Sequence, residues 1–301
     1  MNTRQLEYFL TVAKCRSLTV AARELNVAQP TLTKTIHALE AELGVELFAR
    51  LPRGVALTRY GSSLLRHANA IRNQVNDAHA EISFLHGDAH GSVVIGAGPA
   101  WLRRLLPQAV AKVAAGNPGV KIKVEGGFDD ALLKALRQGD LDFVVAELPG
   151  DEVAKDLEML SLTSDSFAAC CRKGHPLVGA GNIPLARLQD CVWAMPPSAT
   201  RAHQRLRAFF VAADLPPPEA VVETESLAFM LQFLLYSDAL TLTVATTLDL
   251  PEATGLTKLD VPALDSERKA GIISRKDGWL SPAATAIIDE LKAICAKQER
   301  N

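Results

Sequence analysis

The 301-residue chain has no hydrophobic run long enough to cross a bilayer, and its first residues lack the apolar core of a signal peptide. We therefore expect a soluble, cytoplasmic protein with no membrane partner. Only five cysteines occur, and none has CxxC spacing. This scarcity argues against a disulfide framework or a zinc site and favours buried, reduced thiols.

Motifs of common catalytic sites are also missing. The sequence contains no Gly-x-Ser-x-Gly elbow, no Gly-x-x-x-x-Gly-Lys loop and no HExxH helix, and Gly96-Ala97-Gly98 without a third glycine is a weak phosphate signal. His86 and His90 have a metal-ligand spacing, but glycines interrupt them and a hinge is the preferred interpretation. We expect no catalytic residue, no metal and no cofactor.

The net charge of −2 does not suggest nucleic-acid binding by the whole chain. Residues 1–60, however, carry eight basic and five acidic side chains, a net charge of +3, which leaves −5 on the remaining 241 residues. A small basic segment on an acidic body is typical of a protein that contacts phosphates with one end only.

Helical periodicity in the first 60 residues predicts three short helices. The first runs from about Thr3 to Cys15, and the second follows closely with two small alanines that allow close helix packing. Pro30 suits the first turn of a third helix, and Gly44 is placed to end it. The predicted buried positions of this third helix are Leu32, Ile36, Leu39 and Leu43.

The opposite face of the third helix is polar and carries Gln29, Thr31, Thr33, Lys34 and His37. Short polar groups with one long cation suit a major groove, and the basic turn at residues 50–55 suits a wing that reaches phosphates. A solvated polar helix face is the alternative for any single residue. The ordered set favours contact with double-stranded DNA.

This stretch closely resembles the winged helix-turn-helix of LysR-type transcriptional regulators. The matching positions are Ala21-Ala22, Leu25, Gln29-Pro30, Leu32, Ile36, Leu39-Glu40, Leu43-Gly44, Leu47-Phe48, Arg50, Arg53-Gly54 and Leu57-Thr58. The resemblance implies base-edge contacts from Gln29, Pro30 and Thr31. It also implies phosphate or groove contacts from Thr33, Lys34, Arg50 and Arg53. Ala28 and Leu51 depart from the serine and the small polar residue that the family usually has there.

A long helix is predicted from Arg59, capped by Thr58, to about Leu85 or His86. Its apolar residues follow a heptad-like spacing: Tyr60, Leu64, Ala68, Ile71, Val75, Ala78, Ile82 and Leu85. They predict either packing on the protein's own body or pairing with a second copy, and we prefer pairing. The family resemblance implies a homodimer or homotetramer, and two DNA-binding heads on one dimer predict a pseudo-palindromic site.

From residue 92 onward, strands alternate with helices, which predicts a parallel sheet. The pattern restarts near residue 161, and the last segment returns to the first lobe. Two lobes joined by crossing strands leave a cleft suited to a small-molecule effector. Candidate lining residues are Gly98, Pro99, Ala100, Trp101, Phe128, Asp129, Ser198, Thr200, Arg201, Thr224 and Thr243. Arg201 is predicted to pair a ligand carboxylate, whereas helix capping is the preferred role for Asp129 and for Ser198 or Thr200.

The expected fold is α/β, with an N-terminal winged helix-turn-helix, a long linker helix and a two-lobed effector domain similar to periplasmic binding proteins. The predicted domains are residues 1–58, residues 59–90 for the dimerisation helix and hinge, and residues 91–301. Lobe I takes 91–161 and 266–301, and lobe II takes 162–265. Two other interpretations are a solute-binding or transport protein and a cytosolic enzyme. The basic head and the missing motifs disfavour them.

Overall fold

The computed structural model describes residues 1–86, 92–150 and 152–298. The predicted hinge at residues 87–91, including His90, lies outside the described residues. The contacts divide the chain into two compact units: one contains the residues up to 86, and the other contains most residues from 92 onward. Within the described ranges, no helix is both long and apolar enough to span a membrane.

The N-terminal unit contains three short helices, a two-stranded hairpin and one long helix. Their bounds are α1 Thr3–Cys15, α2 Leu18–Glu24, α3 Gln29–Leu43, β1 Phe48–Leu51, β2 Gly54–Leu57 and α4 Arg59–Leu85. Local signals set these limits: Ser17 caps α2, Thr58 caps α4, and Gly44 ends α3 in the left-handed conformation at φ +70°. The predicted helix ends are therefore confirmed.

One apolar cluster holds α1, α2, α3 and the hairpin together. Phe9, Leu32 and Leu39 are fully buried in it, and Ala21 is buried where α2 approaches its neighbours. The prediction that Leu43 belongs to this buried stripe is wrong, because its side chain is 40% exposed in the last turn of α3. This turn extends beyond the packed core.

The apolar positions of α4 fall into two groups. Leu64 and Ala68 pack against the core of the N-terminal unit, so the first part of the predicted pairing seam is an intramolecular contact. Farther along, Ile71, Val75 and Ile82 are exposed, Ile82 by 66%. The predicted seam from Tyr60 to Leu85 is therefore wrong at Leu64 and Ala68, whereas Tyr60 is 42% exposed and an uncovered apolar stripe remains on the second half.

The C-terminal unit is a two-lobed α/β structure. Its helices are α5 Pro99–Arg103, α6 Leu106–Gly116, α7 Asp129–Gln138, α8 Arg201–Ala212, α9 Leu227–Leu235 and α10 Pro282–Gln298. Its strands are β3 Ser92–Ala97, β4 Lys121–Gly126, β5 Phe143–Glu147, β6 Leu157–Arg172, β7 Trp193–Met195, β8 Ala220–Glu223, β9 Thr241–Val244, β10 Leu256–Lys258 and β11 Ser266–Arg275.

The predicted parallel sheet is confirmed for the first three strands of this unit and does not extend to the returning segment. Strands β3, β4 and β5 pair in parallel, but β11 pairs antiparallel with both β5 and β6. The restart predicted near residue 161 is instead one 16-residue strand, β6, which pairs with β11 in lobe I and then with β9 and β10 in lobe II. Strands β6 and β11 thus connect the two lobes, as the crossing-strand prediction requires.

The single helix predicted from about Trp101 to Ala115 is divided into α5 and α6. Pro107 lies in the first turn of α6 and has no N–H to bond back toward α5. The break lets α5 stand alone at the end of β3. Its first turn begins at Gly98 and Pro99, next to the end of β5, where the Gly98 N–H donates to the Val145 carbonyl at 2.9 Å.

Each lobe has its own apolar core. Ile95, Phe143 and Ile287 are central to lobe I, and Trp193 and Phe210 are central to lobe II. The neighbouring thiols of Cys170 and Cys171 are 1% and 0% exposed, as predicted for packing residues. Burial raises the pKa of the Cys170 thiol to about 12, which makes it a poor nucleophile.

Candidate DNA interface and effector cleft

Helix α3 presents a polar ridge at its N-terminal end. Its apolar face is anchored in the core by Leu32, Ile36 and Leu39, which forces the other side of the helix toward solvent. The exposed residues there are Gln29, Pro30, Thr31 and Lys34, and Thr33 is half-buried. The Thr19 hydroxyl of α2 lies 3.4 Å from Gln29 Oε1, so α2 contacts this ridge.

The hairpin after α3 forms the wing. Arg50 is paired with Val55 in the β1–β2 ladder. Val55 is buried, whereas Arg50 and the turn residue Arg53 are exposed. The Val55 N–H donates to the Arg16 carbonyl at 2.9 Å. Gly54 has φ +95°, and a Cβ there would lie 2.2 Å from the Arg16 oxygen. Only glycine fits this close approach.

Lys34, Arg50 and Arg53 form no ion pair or hydrogen bond within the part of the chain that the structure describes. Their charges are therefore available to an external anion. A helix with a polar N-terminal ridge next to two exposed wing arginines is the arrangement that winged helix-turn-helix proteins use on a duplex. The chemistry available here is hydrogen bonding to base edges and ion pairing with phosphates.

The C-terminal unit contains a cleft between its lobes. Its volume is about 700 Å³, and it continues into a recess of about 100 Å³. The cleft lies where the first turns of α5, α7, α8 and α9 converge with the ends of β5 and β9. Its size falls within the usual range for small-molecule sites.

The structure brings most of the predicted effector residues to this cleft. The lining includes Gly98, Pro99, Ala100, Trp101, Phe128, Asp129, Thr200, Arg201, Thr224 and Thr243. Ser198 is different, because it is exposed and does not line the cleft, although its neighbours Pro197 and Ala199 do. The loop before α8 turns the Ser198 side chain outward.

Sequence reasoning missed several lining residues, among them Glu147, Phe167, Thr247 and Arg268. Glu147 ends the parallel strand β5, and the carboxyl end of a parallel strand is a common place for ligand-binding groups. That signal could have identified Glu147. Arg268 lies on β11, and no local motif marks it.

A network of buried charges forms the base of the recess. Arg268 Nε donates to Asp165 Oδ1 at 2.6 Å, and Arg205 Nη2 donates to Glu147 Oε1 at 2.7 Å. The side chains of Arg268, Asp165 and Glu147 are 9%, 11% and 9% exposed. Both guanidinium groups also lie over the Phe167 ring, at 4.3 Å for Arg205 and 5.3 Å for Arg268.

Arg201 and Asp129 face each other across the cleft. Arg201 Nε is 4.0 Å from Asp129 Oδ2, which exceeds hydrogen-bond distance. Burial raises the pKa of the Asp129 carboxyl, and the Arg201 charge opposes that effect. Arg201 therefore has a carboxylate beside it already, which weakens the prediction that it pairs a ligand carboxylate.

The capping predictions have different outcomes. Thr200 caps α8, since its hydroxyl accepts from the His203 N–H at 3.4 Å. Asp129 does not occupy the cap position of α7: the Phe128 carbonyl accepts the first helical bonds from Ala131 and Leu132. Asp129 is the first helical residue, and its carboxylate turns toward Arg201.

Comparison with known proteins matches both units. The family described as "Bacterial regulatory helix-turn-helix protein, lysR family" matches residues 3–62, and "LysR substrate binding domain" matches residues 86–296. The HTH-type transcriptional regulator GbpR of Azospirillum brasilense is 31% identical over 97% of this chain and 86% of its own length. The chain belongs to the LysR family of transcriptional regulators.

Two further similarities agree with this assignment. The regulator GalR of Pseudomonas putida is 29% identical over 99% of the chain and 75% of its own length. The fold is that of full-length OxyR from Pseudomonas aeruginosa, with a TM-score of 0.66, 22% identity and coverage of 97% and 95% of the two chains. This LysR-type protein is thus a DNA-binding regulator with an effector-binding domain, and its relatives are regulators rather than enzymes.

Proposed function

We propose that this LysR-type protein is a cytoplasmic regulator that binds a pseudo-palindromic DNA site through residues 1–58. Residues 59–90 serve as dimerisation helix and hinge, and residues 91–301 bind a small-molecule effector between two lobes. Lobe I comprises residues 91–161 and 266–301, and lobe II comprises residues 162–265. One observation carries the proposal. A polar, uncovered ridge on α3 lies beside wing arginines that have no partner within the described residues.

Each residue of the proposed DNA interface has a role set by its chemistry. Gln29 offers both a donor and an acceptor to a base edge, and Thr31 and Pro30 offer methyl or ring contacts to a base. Lys34, Arg50 and Arg53 supply charge to phosphates, and Thr33 supplies a hydroxyl. The exposure of these side chains, all but the half-buried Thr33, supports the assignment.

Self-association of the regulator is proposed through the second half of α4. Ile71, Val75 and Ile82 are exposed there at helical spacing, and such a stripe is stabilised when another apolar helix covers it. A homodimer built in this way places two heads on half-sites about 34 Å apart, one turn of the duplex. A homotetramer is formed when two such dimers associate.

The effector is proposed to act by changing which assembly is favoured. The interlobe cleft holds polar groups from both lobes, so a bound molecule changes the free energy of lobe closure. Ligand affects DNA binding only if it binds the two assembly states with unequal affinity. The distance between heads, and with it the preferred DNA bend, then changes with ligand.

The test is a titration of labelled upstream DNA by the full-length protein, in gel shift and in fluorescence anisotropy. Lys34→Ala and Arg53→Ala should each weaken binding by about tenfold and reduce its salt dependence, because each removes a phosphate contact. Lys155→Ala is a matched control, since Lys155 is an exposed lysine of the other unit. Unchanged affinity in both head variants contradicts the assigned interface.

A further inference from the structure

The arginines in and near the effector cleft differ in whether a carboxylate of the protein already binds them. Arg205 and Arg268 donate to buried carboxylates, and Arg103 is paired with Glu252. Arg201 differs, because it lies near two carboxylates without a hydrogen bond to either: Asp129 at 4.0 Å and Asp130 at 3.9 Å. The side chains of Arg201 and Asp129 are only 22% and 18% exposed, whereas that of Asp130 is 78% exposed.

This arrangement disfavours a ligand with a net charge. An anion bound to Arg201 also lies close to the Asp129 and Asp130 carboxylates, and Glu225 lines the same cleft. A cation bound to Asp129 lies equally close to the Arg201 guanidinium. In either case the repulsion is comparable to the attraction that is gained, because both partners are held at similar distances.

The rest of the lining is rich in neutral hydroxyl groups. Thr224, Ser226, Thr243 and Thr247 line the recess, and the hydroxyls of Thr243 and Thr247 lie 3.4 Å apart. Hydroxyl groups both donate and accept, so they are complementary to other hydroxyl groups. The apolar ring of Phe128 lines both parts of the cleft and offers a surface for C–H groups.

We propose that the cleft binds an uncharged polyhydroxylated molecule, such as a monosaccharide or a cyclic polyol. One ligand hydroxyl donates to Asp129, and a neighbouring oxygen accepts from Arg201. This inference rests on the proposed effector role of the cleft. A dipolar amino acid also presents a donor and an acceptor, but the four side-chain hydroxyls that line the adjoining recess favour a ligand with several hydroxyl groups.

The test compares ligands that share a carbon skeleton and differ in charge. Full-length protein is titrated, by calorimetry and thermal shift, with D-glucose, D-galactose, D-xylose and myo-inositol as neutral probes. D-glucuronate and D-galacturonate are the anionic probes, D-glucosamine is the cationic probe, and L-serine is the dipolar probe. We expect saturable binding and a rise in melting temperature with at least one neutral probe and none of the charged ones.

Two variants then test the named pair. Arg201→Gln should lower the affinity for the neutral probe by about 10- to 100-fold, which is the usual effect of losing a hydrogen bond to a charged donor. Asp129→Asn should also lower the affinity for the neutral probe. Because it removes a negative charge, it should raise the affinity for the matching uronate, relative to that for the neutral sugar, by about tenfold or more. Arg207→Gln, on the exposed side of α8, and Asp140→Asn are the matched controls.

Preference of the wild type for a uronate, for the amino sugar or for serine overturns the proposal. So does the absence of saturable binding by every neutral probe at millimolar concentration. A gel shift on the same preparations separates the two levels of inference. Protein that binds its upstream DNA but prefers a charged probe refutes only the ligand class, whereas protein that binds no DNA refutes the proposed function.

Discussion

Basic side chains are used in opposite ways in the two units. In the head, Lys34, Arg50 and Arg53 are exposed and have no partner within the described residues. In and beside the effector cleft, Arg268 and its neighbour Arg205 are largely buried and hydrogen-bonded to carboxylates. The same residue type is therefore left free to bind phosphates in one unit and fixed in place in the other.

The difference shows what each surface can recognise. Exposed cations attract any polyanion, and their contribution depends strongly on salt. A buried arginine that is already paired adds little net charge to its surroundings, and instead fixes the shape of the recess and the ring of Phe167. The head is thus suited to a highly charged polymer, and the cleft to a small ligand bound by hydrogen bonds.

The largest expected effect follows from removing the buried pairing. In Arg268→Met, the nearly buried carboxylate of Asp165 loses its bidentate hydrogen-bond partner. We expect a loss of about 3–5 kcal/mol in the free energy of unfolding, the usual result of leaving one buried charge uncompensated. The midpoint of urea unfolding, followed by the fluorescence of the tryptophans, measures it.

Lys269→Met is the control for this substitution, because Lys269 is the exposed neighbour of Arg268 on β11. It should change stability by less than about 0.5 kcal/mol. Arg268→Lys retains the charge without the fork geometry and should lie between the two. Equal stability of the Met variants at 268 and 269 refutes a structural role for the buried network.

A second, smaller effect concerns salt. Arg50→Ala removes one proposed phosphate contact from each head, so the slope of log affinity against log salt should become shallower by about 0.9 per head. Binding of an uncharged ligand in the cleft should hardly change over the same salt range, because no counterions are released. Anisotropy titrations at several salt concentrations measure the first quantity, and calorimetry measures the second. Equal slopes for the wild type and the variant refute the proposed contact between Arg50 and a phosphate.

The head was predictable from sequence because local signals determine it. Asn, Ser or Thr caps, Pro30 in a first turn and Gly44 at a helix end each act within a few residues. Apolar spacing gave the bounds of α1, and Pro30, Gly44 and Thr58 marked the limits of α3 and the start of α4. The partial burial of α4 was missed because periodicity shows only that a helix has an apolar face. It does not show which turns of that face pack on the protein's own core and which remain uncovered.

The cleft was only partly predictable because long-range pairing creates it. Strand β11 pairs with β6 across about a hundred residues of sequence, and Arg268 meets Asp165 at a separation of 103. Alternation of strands and helices cannot give the direction of such a strand. Helix starts did identify most of the lining, since Phe128, Thr200 and Thr224 lie where helices begin or a strand ends.

The smallest expected effect lies at the start of the DNA-contacting helix. Ala28 occupies the cap position of α3 with φ −67° and ψ 133°, and it has no side-chain oxygen to accept the free N–H groups. Ala28→Ser should therefore stabilise the head by about 1 kcal/mol. Ala38→Ser, at an exposed position inside the same helix, should instead destabilise it slightly through helix propensity. Thermal unfolding of both variants measures the difference. If the two substitutions change the melting temperature equally, a serine at position 28 does not act as a helix cap.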